Sequence, residues 1–298
     1  MAAPHAWTEK REVTASDGAL IAYHVTRSPA ASARTVVLAN GLGGPHVAWN
    51  GLVDYLGDRY RFLSWDYRGL FGSGPPPVDE PRAYAVERHV ADLEVVLARE
   101  GVREAAIIGW SMGVQVALEA YRSLGPSVVR SLVLLNGTFG RPLDSAPVPF
   151  ARHLVPSAID VAERLAPALG AVTRTFVRGR GSVRLMKKLG LLGESLDEDQ
   201  FREVTEAFGA LDMRAFMKNL RALGDHDASR ILPRISVPVL VITGDHDRMT
   251  PRGLSQQMVR RIPSAEILVV RGGTHYTAAE FPELVGLRVE RFFHDQGY

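Results

Sequence analysis

Five consecutive residues, Gly109-Trp110-Ser111-Met112-Gly113, set a serine between two glycines where an apolar run, AAIIGW (105–110), meets an amphipathic one, MGVQVALEAYRSL (112–124). A serine on a sharp strand-to-helix turn presents its hydroxyl outward only if small residues flank it, because side chains at Gly109 and Gly113 would meet the neighbouring strand and helix. A helix starting at Met112 brings its positive end to any oxyanion that forms beside Ser111. A glycine-rich turn in which Ser111 merely caps the helix is the bland alternative.

A serine hydroxyl is a poor nucleophile at neutral pH and needs a base of pKa near 7, held by a third group. Of nine histidines, His275 stands apart: it lies in Gly272-Gly273-Thr274-His275-Tyr276, after the last apolar run and before the last helical pattern. The orienting carboxylate should follow a strand between serine and histidine, and Gly244-Asp245-His246-Asp247-Arg248 follows PVLVIT (238–243). Either Asp245 or Asp247 could serve; the tight turn at Gly244 favours Asp247. Asn40-Gly41-Leu42-Gly43-Gly44 follows another apolar run, and its glycines let an amide face a reacting carbonyl, so the N–H groups of Leu42 and Met112 are the candidate oxyanion donors. The segment matches neither GxGxxG nor GxxxxGK[ST], which argues against a phosphate loop. The doublets Asp225-His226-Asp227 and Asp245-His246-Asp247 read as carboxylate-rich surface turns, with no metal site expected.

These groups need a rigid frame. Six runs, TVVLAN (35–40), RFLSWD (61–66), AAIIGW, SLVLLN (131–136), PVLVIT and AEILVV (265–270), are apolar without alternation, the pattern of strands buried on both faces in a mostly parallel sheet. Two alternating segments precede them, around Glu12 to Thr14 and Leu20 to Thr26, joined through Ser16-Asp17-Gly18 as an antiparallel hairpin. Helical spacing appears at 83–99, where Val86, Val90, Leu93 and Leu97 share a face, and again at 112–124, 252–262 and 282–293. From Thr138 to Leu232 no buried strand is evident. A proline-rich entry (Pro142, Pro147, Pro149, Pro156) leads into helical patterns, with Ser157 expected to cap a helix to Leu169, Ser195 another, and Met213, Phe216, Met217 and Leu220 on one face of a third. The expected organisation is a core of residues 1–137 and 233–298 with a helical cap of 138–232.

Composition closes off other chemistries. The chain has 298 residues and no cysteine, which excludes disulfides, thiolate metal sites and a cysteine nucleophile. Lys+Arg 35 against Asp+Glu 33 gives a net charge of +2, too little to drive the whole molecule onto nucleic acid or a membrane. No run reaches the length of a membrane-spanning helix, and the opening MAAPHAWTEKREV lacks a signal-like apolar region, so a soluble cytoplasmic protein is expected.

The order oxyanion loop, serine, aspartate, histidine at successive strand ends, together with Asp66-Tyr67-Arg68-Gly69, resembles the α/β-hydrolase superfamily over essentially the whole chain. The resemblance implies an α/β fold with a mostly parallel sheet, Ser111 as nucleophile, His275 as base, Asp247 as acid, Leu42 and Met112 as oxyanion donors, and no cofactor. Two departures stand out. Asn40 occupies the place of the family's usual histidine before the oxyanion loop, and the second glycine of the D-x-R-G-x-G-x-S turn is displaced to Gly72. Asp66 and Arg68 read as braces of that turn. Ser111 at the nucleophile position excludes the aspartate-nucleophile dehalogenases and epoxide hydrolases of the superfamily.

The function these readings favour is cofactor-independent hydrolysis of a small-molecule carboxylic ester through an acyl-enzyme. Trp110, Met213, Phe216 and Met217 are the candidate substrate contacts, forming an apolar acyl or alcohol pocket. Arg174, Arg178, Arg180, Arg184, Lys187 and Lys188, followed by Glu194, Asp197, Glu198 and Asp199, admit an acyl-carrier or thioester substrate, although mutually compensating charged faces are the simpler reading. Carbon–carbon bond hydrolysis on the same triad and a non-catalytic receptor are the remaining alternatives.

Overall fold

The computed structural model describes residues 7–27, 29–30, 33–141, 159–179 and 181–298. The proline-rich entry at Pro142, Pro147, Pro149 and Pro156, the cap at Ser157 and Arg180 lie outside the described residues.

Eight strands form one sheet in the order β1-β2-β4-β3-β5-β6-β7-β8, with β1 at Trp7–Thr14, β2 at Leu20–Thr26, β3 at Thr35–Ala39, β4 at Arg61–Trp65, β5 at Ala105–Trp110, β6 at Val129–Leu135, β7 at Val239–Gly244 and β8 at Ala265–Val270. β1 pairs antiparallel with β2, and β2 with β4; every other pairing is parallel. The six apolar runs thus fall in the parallel part, where helices must cover both faces. Alternate residues of each strand divide the core in two. Val37, Ala39, Ile107 and Leu134 face the side covered by α2 (Val86–Arg99) and α3 (Met112–Leu124), whereas Val36, Leu38, Ile108 and Leu135 face α1 (Asn50–Leu56) and the C-terminal α10 (Pro282–Asp295). Val86, Val90, Leu93 and Leu97 are all buried on α2, as their spacing requires.

β8 departs from the pattern. At the sheet edge Glu266 and Ile267, which point to opposite faces, are both exposed, so this strand is poorly covered despite its apolar sequence.

The described residues between β6 and β7 are helical: 159–164, α4 (Ala166–Arg178), α5 (Ser182–Lys188), α6 (Glu198–Gly209) and α7 (Met213–Asp225). The capping expected at Ser195 falls instead to Asp197, whose Oδ1 accepts the Asp199 N–H at 2.9 Å. A carboxylate one residue before the helix can reach that amide, and Ser195 stands too far upstream. Asp212 caps α7 by accepting from the Arg214 N–H at 2.8 Å. After β7 come α8 (Arg252–Arg261) and, after β8, the short α9 (Thr277–Glu280). Among the described residues no helix is long and apolar enough to cross a membrane.

Candidate active site

Sheet order reverses between β3 and β5, since β3 pairs with β4 on one side and β5 on the other. Loops leaving the carboxyl ends of parallel strands diverge at such a point and open a crevice. Asn40 to Gly44 follow β3 there, and Ser111 follows β5.

Ser111 has φ 57° and ψ −116°, a left-handed conformation that costs a non-glycine residue of order 1–3 kcal/mol. The two flanking glycines explain how the turn closes. A Cβ on Gly109 would lie 2.2 Å from the Gly113 carbonyl oxygen, and one on Gly113 would lie 2.0 Å from the Ala39 carbonyl oxygen. Met112, the first residue of α3, is buried beneath this turn. The loop that follows β3 is tight: the Gly44 N–H donates to the Gly41 carbonyl at 2.9 Å, with Gly43 at φ +70° and Leu42 half-buried at its tip.

Asn40 anchors this loop. Its Nδ2 donates to the Trp65 carbonyl at 2.9 Å, its Oδ1 accepts from Trp49 Nε1 at 2.8 Å and Ser64 Oγ at 3.1 Å, and its own carbonyl accepts from the Tyr67 hydroxyl at 2.8 Å. An amide therefore fills the histidine's place with its donors and acceptors satisfied. Asp66 and Arg68 brace the adjoining turn. Asp66 Oδ2 accepts the Gly72 N–H at 3.0 Å, while buried Arg68 grips Asp92 through Nε at 2.8 Å and Nη2 at 2.7 Å.

His275 and Asp247 come together from the ends of β8 and β7. His275 Nδ1 lies 3.0 Å from Asp247 Oδ2, and both residues are at most 5 % exposed. Asp245 points elsewhere, accepting the Gly272 N–H at 2.7 Å from a solvent-exposed position. Burial pushes the Asp247 carboxyl up, but hydrogen bonds from His275 and Thr250 and the attraction of His275 outweigh it and hold the carboxyl below its ordinary range. Oδ1 accepts the N–H groups of Met249 at 2.8 Å and Thr250 at 2.9 Å; Oδ2 also accepts the Thr250 hydroxyl at 2.6 Å and Asn136 Nδ2 at 2.9 Å.

Sequence reasoning passes over three residues that hold these groups. Asn136, directly after β6, has φ 45° and also donates to the Thr274 carbonyl at 3.1 Å. Its only signal in the sequence is a polar residue closing the apolar run SLVLLN. Thr250 has none. Glu280 is buried on α9: Oε2 accepts the Thr274 N–H at 2.7 Å, Oε1 accepts the Gly193 N–H at 2.7 Å, and the Thr274 hydroxyl donates to Oε1 as well. One carboxylate thus ties the loop bearing His275 to the loop between α5 and α6.

Trp110 is buried, with its indole N–H donating to the His275 carbonyl at 2.8 Å and its ring under Gly41 and Gly44. Between Ser111 and the base loop, this position gives it a bracing role. Met213 is buried, and Phe216 and Met217 are half-buried. Phe216 and Phe208 stand edge to face with centroids 5.5 Å apart, and a Cβ on Gly43 would come within 2.9 Å of both rings, so α6 and α7 press on the loop of Asn40 to Gly44. Phe201 likewise packs edge-on against Tyr276, 4.9 Å between centroids. Within the charged stretch, Glu198 lies 3.7 Å from Arg184 and 3.6 Å from Lys187, so these faces compensate each other in part.

A family model described as "Alpha/beta hydrolase family" matches residues 36–286. Among sequence relatives, a putative carbamate hydrolase RutD of Stutzerimonas stutzeri is 25% identical over 252 residues, covering 84% of this chain and 88% of its own. Among solved structures, the esterase EaEST of Exiguobacterium antarcticum superposes with TM-score 0.77 at 19% identity, covering 95% of this chain and 99% of that one. A bromoperoxidase of Bacillus anthracis gives TM-score 0.76 at 17% identity, with coverage of 96% and 100%. At such identities the solved structures speak to the fold, and chemistry has to be argued from the side chains.

Proposed function

Because the chain belongs to the alpha/beta hydrolase family, we propose that it is a serine hydrolase that cleaves carboxylic esters through an acyl-enzyme. The observation that carries this reading is the buried pair at 3.0 Å between His275 Nδ1 and Asp247 Oδ2. A carboxylate accepting the Nδ1 proton leaves the lone pair on Nε2, which makes that nitrogen the base. Ser111 Oγ attacks the ester carbonyl as Nε2 takes its proton, and the negative oxygen forms against the N–H groups of Leu42 and Met112. Nε2 returns the proton to the departing alcohol. Water then enters, gives a proton to Nε2 and its oxygen to the acyl carbon, and the acid leaves as Ser111 regains its hydrogen. Phe208 and Phe216 supply apolar surface beside the oxyanion loop, which supports an apolar acyl or alcohol group and a covering role for the described helices between β6 and β7.

Carbamate esters are a second reading, favoured by the naming of the RutD relative. The same residues would form a carbamoyl-enzyme, whose carbonyl is less electrophilic because the nitrogen lone pair donates into it.

Reaction with a fluorophosphonate, followed by intact mass, tests the nucleophile. The expected result is one adduct on the wild-type protein and none on Ser111→Ala, with ester turnover falling by on the order of 10⁴-fold or more in the variant. Absence of an adduct on folded wild-type protein overturns the proposal. Parallel assays with p-nitrophenyl acetate and a p-nitrophenyl carbamate separate the two readings: rapid turnover of the first with slow loss of a carbamoyl adduct favours esters, and preferred turnover of the second favours carbamates.

A further inference from the structure

Chain returning from α7 towards β7 crosses the flank of α3 and α2, where it lines a cavity of about 590 Å³ that includes none of the proposed triad. His226, expected from sequence on a solvated turn, is 8 % exposed there, because the turn packs against α3. Its surroundings fix its proton. Gln115, fully buried on α3, donates Nε2 to the Gly140 carbonyl at 3.0 Å, so its Oε1 is the acceptor that faces His226 Nδ1 at 2.5 Å. The ring must therefore carry its hydrogen on Nδ1, and in the neutral form Nε2 holds a lone pair. That nitrogen is directed at Glu119 Oε2, 3.5 Å away on the next turn of α3. Two acceptors that face each other in a buried place leave room between them for a positive charge, a proton or a metal ion, beside the Arg122 guanidinium from which Oε2 already accepts.

A third donor completes the cluster. Glu87, in the first turn of α2, brings a carboxylate oxygen so that one ligand atom from each of Glu87, Glu119 and His226 lies within 4.8 Å of the others. Tetrahedral ligands about 2.0–2.1 Å from a zinc-like ion stand roughly 3.4 Å apart. Glu87 is exposed and can close the difference by changing rotamer. Arg122 also grips Glu119, its Nε lying 2.9 Å from Oε1 and 3.0 Å from Oε2, the oxygen that faces His226, as a partner that orients a ligating carboxylate does. Arg230 and Arg234 also line the cavity, with Asp225 and Asp227 opposing their charge.

We propose that Glu87, Glu119 and His226 bind a divalent transition cation of the zinc class, with a fourth position open to the cavity. One imidazole and two carboxylates suit such an ion better than calcium or magnesium, which take six or more oxygens. The ion would clamp α2 and α3, which begins beside Ser111, to the residue that ends α7.

The contrast with a second cluster sharpens the assignment. His24, His46 and Asp66 are also close together, but the two imidazoles are stacked 3.5 Å apart at 13°, so their lone pairs run side by side and do not converge.

The test uses the full chain, stripped with a chelator and titrated with Zn²⁺ by calorimetry and with Co²⁺ by visible absorption. One saturable site is expected, with Co²⁺ bands of tetrahedral type and a higher melting temperature on Zn²⁺ addition. Glu87→Ala, exposed and therefore expected to fold, should weaken binding by about 10- to 100-fold; His46→Gln should leave it unchanged. No saturable binding overturns the proposal. Binding at wild-type affinity in Glu87→Ala, or its loss in His46→Gln, overturns it also by placing the ion elsewhere.

Discussion

At the scale of single residues, the site depends on how many donors converge on one carboxylate. Asp247 Oδ2 receives His275, Thr250 and Asn136, and Oδ1 receives two backbone amides. Removing one donor makes the carboxylate a stronger partner for the imidazolium, so Asn136→Ala should move the acid limb of the kcat/KM profile to higher pH. It should also lower stability by about 1–3 kcal/mol, because the buried Asp247 carboxylate loses one donor and the Thr274 carbonyl keeps only the Thr277 hydroxyl. A pH–rate profile and a denaturant titration of the same variant check both; an unmoved limb with normal stability would mean that Asn136 only fills space. Ser111, Asp247 and His275 stand out in the sequence because each lies within three residues of a glycine after an apolar run. Asn136, Thr250 and Glu280 are not, since a buried polar residue that satisfies its neighbours carries no periodicity and follows no motif.

Among the elements, glycines set how closely strand, turn and covering helices approach. Gly113→Ala would drive a methyl into the Ala39 backbone, which cannot yield, so the variant is expected to express as unfolded protein. Gly43→Ala meets only the rings of Phe208 and Phe216, which can move, although φ +70° adds about 1 kcal/mol of strain. Its expected effect is a modest loss of melting temperature with a larger loss of kcat, and Phe208→Ala in the same chain should restore part of the kcat. Equal losses of stability and activity with no rescue would show that the contact does not govern the loop of Asn40 to Gly44. The parallel sheet could be read from unbroken apolar runs, with strand ends within two residues of those observed. α1 escaped because seven residues give too short a pattern, and the edge position of β8 escaped because an apolar run does not reveal which strand lies last. The start of α6 shifted by the choice between two polar residues, each able to cap.

For the whole molecule, fully buried His89 and half-buried His46 bear on the acid limit. Burial pushes His46 down to about 4, helped by His24 and opposed by Asp66; burial also pushes His89 down to about 3, opposed by its bond to Asn219 and helped by Arg68. Both bind fewer protons folded than unfolded, so stability is complete above about pH 6.5 and declines as pH falls towards 4 and then 3. Asp247, held low, adds a further loss as pH falls below the ordinary carboxylate range. Melting temperatures at pH 7.5 and pH 5.0 should therefore differ, and His89→Gln, which keeps a donor for Asn219 Oδ1 at 2.8 Å, should narrow the gap. An equal gap in the variant would assign the acid sensitivity to other groups. The Glu280 clasp has a further consequence for anyone who treats the covering helices as an exchangeable module. Gly193 contributes a backbone N–H to that carboxylate from a place where a Cβ would lie 2.9 Å from the Glu280 carboxyl carbon. A cap grafted from another hydrolase inherits this requirement: unless it offers a bare amide at the same point, the transplant leaves Glu280 short of a partner and loosens the histidine loop it was never meant to touch.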